Sequence, residues 1–221
     1  MNNKTPDKLL LIGAGGHCRS ITDSLNTDAY NDIAIIDETL SAGENVNGIP
    51  VVGKDADARV LFKKGYNYAV IALGSVGNPS ARIKIYQEYK SIGFDFSVVI
   101  DSSATVSKTA IIGEGVFIGK GAIINTGVQL GECCIVNTGA IIDHDCNIGD
   151  FAHISPGARL SGEINIGKNS HIGVGSTIIQ SINIGNNTII GAGSVVTKDI
   201  PDNVIAVGIP CKPIKPNEVS E

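Results

Sequence analysis

A histidine held between two carboxylates, in Ile141-Ile142-Asp143-His144-Asp145-Cys146-Asn147-Ile148-Gly149-Asp150, interrupts a monotonous run of aliphatics and glycines. These residue types can move a proton. A carboxylate beside an imidazole fixes the ring and raises its basicity, as a general base near neutral pH requires. A solvated histidine on a polar face is the other reading of the same residues. Cys146, two positions on, adds the arrangement of a Cys–His nucleophile pair. His153 and His171 follow, eighteen residues apart. A second stretch with chemical potential is Gly13-Ala14-Gly15-Gly16-His17-Cys18, placed between an apolar run and a helical pattern as a phosphate-cradling turn would be. It is an incomplete dinucleotide fingerprint, because the third glycine would fall at Cys18. Asp37 stands about twenty residues further on, where an acidic ribose ligand belongs.

The elements that must position these groups follow two grammars. Residues 1–99 alternate strands and helices. Leu9 to Ile12, Ile33 to Ile36 and Tyr68 to Leu73 are short apolar runs, each closed by glycine or aspartate, as buried parallel strands are. Helical patterns cover His17 to Leu25, Ala56 to Lys64 and a segment starting near Pro79, with Ile83, Tyr86 and Tyr89-Lys90 on one face. This predicts a small parallel α/β sheet, a Rossmann-like half.

From residue 100 the period becomes six. Ile112, Ile118, Ile124, Leu130, Val136, Ile142, Ile148, Ile154, Leu160, Ile166, Ile172, Ile178, Ile184, Ile190 and Val196 are all aliphatic, with no insertion among them. Two positions before each stands a small residue in most repeats, and Gly often follows, as at Gly113, Gly119, Gly131, Gly149, Gly167, Gly173, Gly185 and Gly191. Neither helix nor ordinary strand has this period, so residues 100–197 form a solenoid: a parallel β-helix whose triangular coils use eighteen residues each. The aliphatics stack inside, the small residues fit the corners, and the glycines are expected to relieve the turn backbone. Residues 198–221 are a closing segment and tail.

This phase assigns directions. Ile142 and Cys146 point inward; Asp143, His144, Asp145 and Asn147 point out. Inward phase makes Cys134 and Cys146 core fillers and argues against a Cys146–His144 pair. Asp143 is read as a solvated carboxylate. His153 and His171 stack on one face, half a coil away from His144, so His144 and His153 can meet only across a boundary between copies of the chain.

Composition excludes several classes. With 43% hydrophobic and 18% charged residues the chain is globular, and a net charge of −5 is unsuited to nucleic acid or a membrane surface. No apolar run reaches the length of a membrane span, and the first residues lack the apolar stretch of a signal peptide. Five cysteines at irregular spacing suit reduced thiols in a cytoplasm.

The six-residue repeat behind a Gly-Ala-Gly-Gly-His loop resembles the NeuD/PglD-like family of bacterial sugar acetyltransferases, over nearly the whole chain. The resemblance implies a left-handed coil, a homotrimer, and transfer from acetyl-CoA to the amino group of a nucleotide-linked amino sugar, of the UDP-4-amino-sugar type, for surface glycans. It also implies direct transfer, with His144 of Ile142-Asp143-His144-Asp145 as base and Asp145 tuning it. Gly13, Ala14, Gly15, Gly16, His17, Asp37, Glu38, Gly74 and Asn137 fall on the family's acceptor contacts. His153 and the outward backbone near Gly162, Val174 and Ala192 fall on its acetyl-CoA contacts. Val207-Gly208-Ile209-Pro210-Cys211-Lys212-Pro213 resembles its closing segment, with Lys212 read as solvated. No metal is implied. Sugar O-acetylation of the sialic-acid type, a non-catalytic nucleotide-sugar-binding trimer and a γ-carbonic-anhydrase-like zinc enzyme are the alternatives. The last meets histidine spacings of nine and eighteen that do not converge, and lacks the front domain.

Overall fold

The computed structural model describes residues 7–218; the first six residues of the expected front domain and residues 219–221 of the expected tail lie outside them. The chain divides into two compact units, one of residues up to 74 with 81–99, the other of residues 75–80 with those from 100 onward.

The first unit is built on β1 (Lys8–Ile12), α1 (Gly16–Ser24), β2 (Asp32–Ile36), β3 (Asn45–Val46), β4 (Ile49–Gly53), α2 (Ala58–Lys63), β5 (Tyr66–Ile71), α3 (Ser80–Ile92) and β6 (Asp95–Phe96). The strands form one sheet in the order β3-β4-β2-β1-β5-β6, parallel except for the β3–β4 hairpin. Leu9, Leu10 and Leu11 of the central strand are fully buried, which is why β1 reads as an unbroken apolar run. Several expectations shift here. The third expected strand starts two residues earlier, at Tyr66, and the helix over Ala56 to Lys64 opens with a 3₁₀ turn at Asp55–Asp57, where Asp57 accepts from the Lys54 amide. On α3 the buried positions are Arg82 and Tyr89, while Lys90 is exposed. The β3–β4 hairpin, absent from the expected elements, turns on Asn47 and Gly48, both with positive φ (49° and 83°). The Asn-Gly pair was its available signal, since a two-residue turn of this type demands positive φ twice.

The second unit is the parallel β-helix. Two-residue strands pair in parallel with a step of eighteen throughout: Phe117↔Ile135↔His153↔His171↔Ile189 on one face, Ile123↔Ile141↔Arg159↔Thr177 on the next, Gln129↔Asn147↔Asn165↔Asn183 on the third. The in-phase aliphatics from Ile118 to Val196 are at most 3% exposed and form one continuous core column with Ala122, Cys134, Ala140, Cys146, Ala152 and Ala158. Where the small residue is serine, its buried hydroxyl donates to a carbonyl: Ser170 to Gly185 O at 2.6 Å, Ser176 to Gly191 O at 3.0 Å. A strand at Val204–Gly208 adds to the first face, and Cys211–Pro216 folds back antiparallel on it.

The glycines that follow the aliphatics do not do what the sequence suggested. Positive φ falls three residues after the aliphatic, at every repeat from Gly115 to Gly193, and non-glycines such as Cys133, Asp145, Phe151, Glu163 and Asn169 share the position. Gly113, Gly149, Gly167 and Gly173 have ordinary backbone angles; a Cβ there would come within 2.5 to 2.7 Å of the backbone one coil on. They are needed for close stacking of coils, not for turn conformation.

Because Ile172 is fully buried between Ile154 and Ile190, Ile172→Ala is expected to cost about 2–5 kcal/mol, read as a lower midpoint in a urea unfolding curve. A midpoint equal to wild type would mean the column is not a packed core.

Candidate functional site

His144 sits at the corner between the strands Ile141–Ile142 and Asn147–Ile148, with its side chain 48% exposed. The corner is shaped by its neighbours on both sides. Asp145 adopts the left-handed conformation (φ 58°), which aspartate tolerates, and its amide donates to Thr126 O at 3.0 Å. Asp143 is open to solvent, as expected, and is also bonded: its Oδ1 accepts from the His144 amide at 2.8 Å and from Asn125 Nδ2 at 2.7 Å. Asp143 therefore pins the backbone on which the imidazole stands, and these bonds hold its carboxyl below the usual range.

The ring itself is held by Asp145, whose Oδ2 lies 2.9 Å from His144 Nδ1. A carboxylate only accepts, so Nδ1 carries the hydrogen and Nε2 keeps its lone pair. The bond from Asp145 raises the pKa of His144 above the ordinary 6.5; loss of solvent around the ring opposes it, and the charges of Asp143, Asp145 and Glu163 add to the rise. Two glycines make room for the pair. A Cβ at Gly127 would strike Asp145 Oδ1, and a Cβ at Gly162 would lie 2.5 Å from both Cε1 and Nε2 of His144. Gly162 is buried, with the imidazole of His144 lying over it. Gly127, Asn125 and Gly162 as supports of His144 were readable only through the eighteen-residue step, which sets 126 and 162 beside 144.

Cys146 is 1% exposed, donates to Ser161 O at 3.1 Å, and burial raises its thiol pKa. It is a core filler, as its phase requires.

His153 is on the first face and buried, 7% exposed. Ser75 O lies 2.5 Å from its Nδ1; a carbonyl only accepts, so Nε2 is left facing Asn137 Nδ2 at 3.4 Å. Asn137 also takes the Thr138 amide on its Oδ1. His171 meets the His153 ring edge-on at 4.8 Å, bonds Ser155 Oγ at 3.2 Å and has no partner for Nδ1 among the described residues. Burial, with the neighbouring His153, pushes its pKa down to about 4. Covering by the segment at residues 75–80 turns this outward-facing slot into an interior one. Val174 and Ala192 are exposed, one coil apart at the corner that follows the His153 face. Within one chain, the register places them and His144 on different corners. Among the described residues no group of three His, Cys, Asp or Glu is arranged to hold a metal.

In the first unit the glycine loop lies at the carboxyl end of the sheet. Gly13 has φ of 100° and packs against Leu73, and its amide donates to Ile36 O at 2.8 Å. Ala14 donates to Asp37 Oδ2 at 2.8 Å. These two amides are thus used within the protein, whereas Gly15 and Gly16 face open space. Asp37, expected at the ribose, accepts in addition from Thr39 N, Thr39 Oγ1 and Leu40 N. Burial alone would raise its pKa, but these bonds bring it below the ordinary value. Glu38 takes the Asp55 amide at 3.0 Å, and Gly74 lies over the His17 side chain. Gly13 to His17, Asp37 and Gly74 line one cavity of about 290 Å³.

A parallel sheet with a glycine loop, followed by a hexapeptide β-helix bearing an exposed His–Asp pair, defines a hexapeptide-repeat acyltransferase with a nucleotide-type front domain. Residues 8–89 match the PglD N-terminal domain, and residues 109–144 and 163–198 match the hexapeptide repeat of succinyl-transferase. Perosamine N-acetyltransferase from Caulobacter crescentus, a histidine-to-asparagine mutant in complex with CoA and GDP-perosamine, is 35% identical with a TM-score of 0.87, over 94% of this chain and 96% of that one. The acetyltransferase domain of PglB from Neisseria gonorrhoeae in complex with acetyl coenzyme A is 38% identical, TM-score 0.87, over 94% and 98%. WeeI from Acinetobacter baumannii is 26% identical, TM-score 0.76, over 94% and 100%. No curated protein matches the chain significantly. The chain belongs to the sugar acetyltransferases of the PglD/NeuD type, and its β-helix is the left-handed one. No helix among the described residues is long and apolar enough to cross a membrane.

Proposed function

We propose that this protein transfers the acetyl group of acetyl-CoA to the amino group of a nucleotide-linked amino sugar for surface-glycan synthesis. In this reading it acts in the cytoplasm as a homotrimer, the front unit holding the acceptor and the β-helix the donor. The observation that carries it is the His144–Asp145 pair, exposed at a coil corner with the Nε2 lone pair available. The likeness to a perosamine N-acetyltransferase bound to CoA and GDP-perosamine supports the two substrates.

Acetyl-CoA supplies an activated thioester; the protein must supply an uncharged nucleophile and a place for it. As the amine nitrogen bonds the thioester carbonyl carbon, His144 Nε2 accepts its proton and Asp145 stabilises the imidazolium that results; the C–S bond then breaks and the imidazolium returns the proton to the leaving CoA thiolate. Asp143 and Asn125 keep the corner from shifting during this exchange. Gly15 and Gly16, opening α1, offer backbone to the diphosphate, with His17 and Gly74 beside them. Val174 and Ala192 of one protomer face the His144 corner of its neighbour, which accounts for the need for a trimer. His153 acts there by orienting Asn137 rather than by exposing its own ring.

Incubation with acetyl-CoA and a panel of nucleotide-linked 3-amino and 4-amino sugars is expected to release CoA thiol; silence across the panel would count against the reading. The electrostatics add a pH signature. The base works deprotonated, and its pKa is raised, so kcat/KM should climb through a limb above 6.5. Asp145→Asn removes the main cause and is expected to move that limb to lower pH while slowing turnover. An unmoved limb in the pH–rate profile would separate Asp145 from the base.

A further inference from the structure

At the carboxyl ends of β1 and β2 a cavity of about 220 Å³ opens between aliphatic walls, Ile12, Ile36, Leu73 and Ile85. It adjoins the glycine-loop cavity through Gly13, Asp37 and Leu73, which line both. A nucleotide with its phosphates at the loop reaches this slot with its flat base, the usual crevice beyond the ends of parallel strands.

The polar side chains of the slot are Asp37, Glu38, Thr39 and Asp55; no basic or amide side chain lines it. Asp37 is occupied by four hydrogen bonds, one from the Ala14 amide of the glycine loop and three from Thr39 and Leu40 of its own loop. Glu38 uses one oxygen for the Asp55 amide, and Asp55 uses one for Tyr89 OH at 3.1 Å. The second oxygen of each has no protein donor among the described residues. Burial raises the Asp55 pKa, and the charges of Glu38, Glu88 and Asp37 add to it against the opposing Tyr89 bond. The slot is thus an apolar sandwich with an edge of acceptors in need of donors.

We propose that this slot selects guanine, Glu38 and Asp55 accepting from the ring N1–H and the exocyclic amino group, so that the acceptor is a guanosine-diphosphate sugar. The sugar half of that statement rests on the acetyl-transfer reading; the base half does not. Guanine is the common base with two adjacent donors on one edge. Uracil sets a single N–H between two carbonyls, whose lone pairs would face the carboxylates, and adenine and cytosine pair one amino group with an acceptor nitrogen. This departs from the uridine nucleotide that the family resemblance implies.

Titration calorimetry of the full chain with GDP, UDP and ADP reads the preference without any acetyl donor. GDP is expected to bind at least about tenfold more tightly than either, because the wrong edge sets a lone pair of the base against the Glu38 or Asp55 carboxylate. Glu38→Gln and Asp55→Asn each turn an acceptor into a donor and should lower the GDP:UDP ratio, with an unchanged circular dichroism spectrum. Glu38 is exposed, so its variant carries the test even if the Asp55 variant misfolds. UDP binding as tight as GDP, no binding of GDP, or a ratio unmoved by both substitutions overturns the guanine site. Thiol release is read separately. GDP selectivity without acetylation of any GDP-linked amino sugar keeps the base site and removes the transferase reading; acetylation of UDP-linked sugars alone does the reverse.

Discussion

Replacing His144 by alanine is expected to lower kcat for acetyl transfer by about a hundredfold or more, the usual contribution of a positioned general base. The expectation comes from geometry as much as from residue type. Asp143 and Asn125 hold the backbone, Asp145 fixes the tautomer, and Nε2 is left as the proton acceptor. The ring is exposed and, among the described residues, its side chain bonds only Asp145, so the fold should barely register the change, within about 0.5 kcal/mol of wild type. Steady-state kinetics with both substrates saturating, beside a thermal melt, checks both halves. Turnover like that of wild type would take His144 out of the chemistry.

Gly162→Ala should be nearly as damaging without touching an ionisable group. The added Cβ would lie 2.5 Å from Cε1 and Nε2 of His144, and the imidazole, being the free end of a side chain, is what must yield. Gly162 has no positive φ, so alanine carries no conformational penalty there. A displacement of about 1 Å in a catalytic group can cost a hundredfold. The expected result is a fall in kcat of roughly ten- to a hundredfold with unchanged affinity for CoA. A rise in the donor Kd with kcat intact would instead make Gly162 a donor contact, the role that family resemblance implies for it.

The six-residue register made the β-helix legible, because a core column with no insertion leaves a pattern that ordinary strands and helices cannot imitate. It also oriented His144 outward and Cys146 inward, as their exposures show. What escaped the sequence depends on approach between distant segments. The glycines at 113, 149, 167 and 173 look like turn formers, yet their reason lies in a backbone one coil away. The burial of His153 comes from Ser75, seventy-eight residues earlier, which no local pattern records. Asp37 stands where a ribose ligand would, and only the folded loop reveals that its carboxylate is already engaged by Ala14, Thr39 and Leu40. The Asn47-Gly48 hairpin is a different matter; its signal is local, but its first strand, Asn45–Val46, is too short to show a periodicity.

The constant offset between stacked strands has a consequence for how such a chain can vary in length. Removing or adding one whole turn of the prism leaves every remaining side chain on its side and in its orientation. A change of six or twelve residues would keep the aliphatics inside but carry every later side chain to another side, and a change that is not a multiple of six would bring polar groups into the aliphatic column, unless the extra residues bulge out at a vertex. The tower can therefore grow or shrink only storey by storey, and decoration is confined to its edges, where His144 already stands.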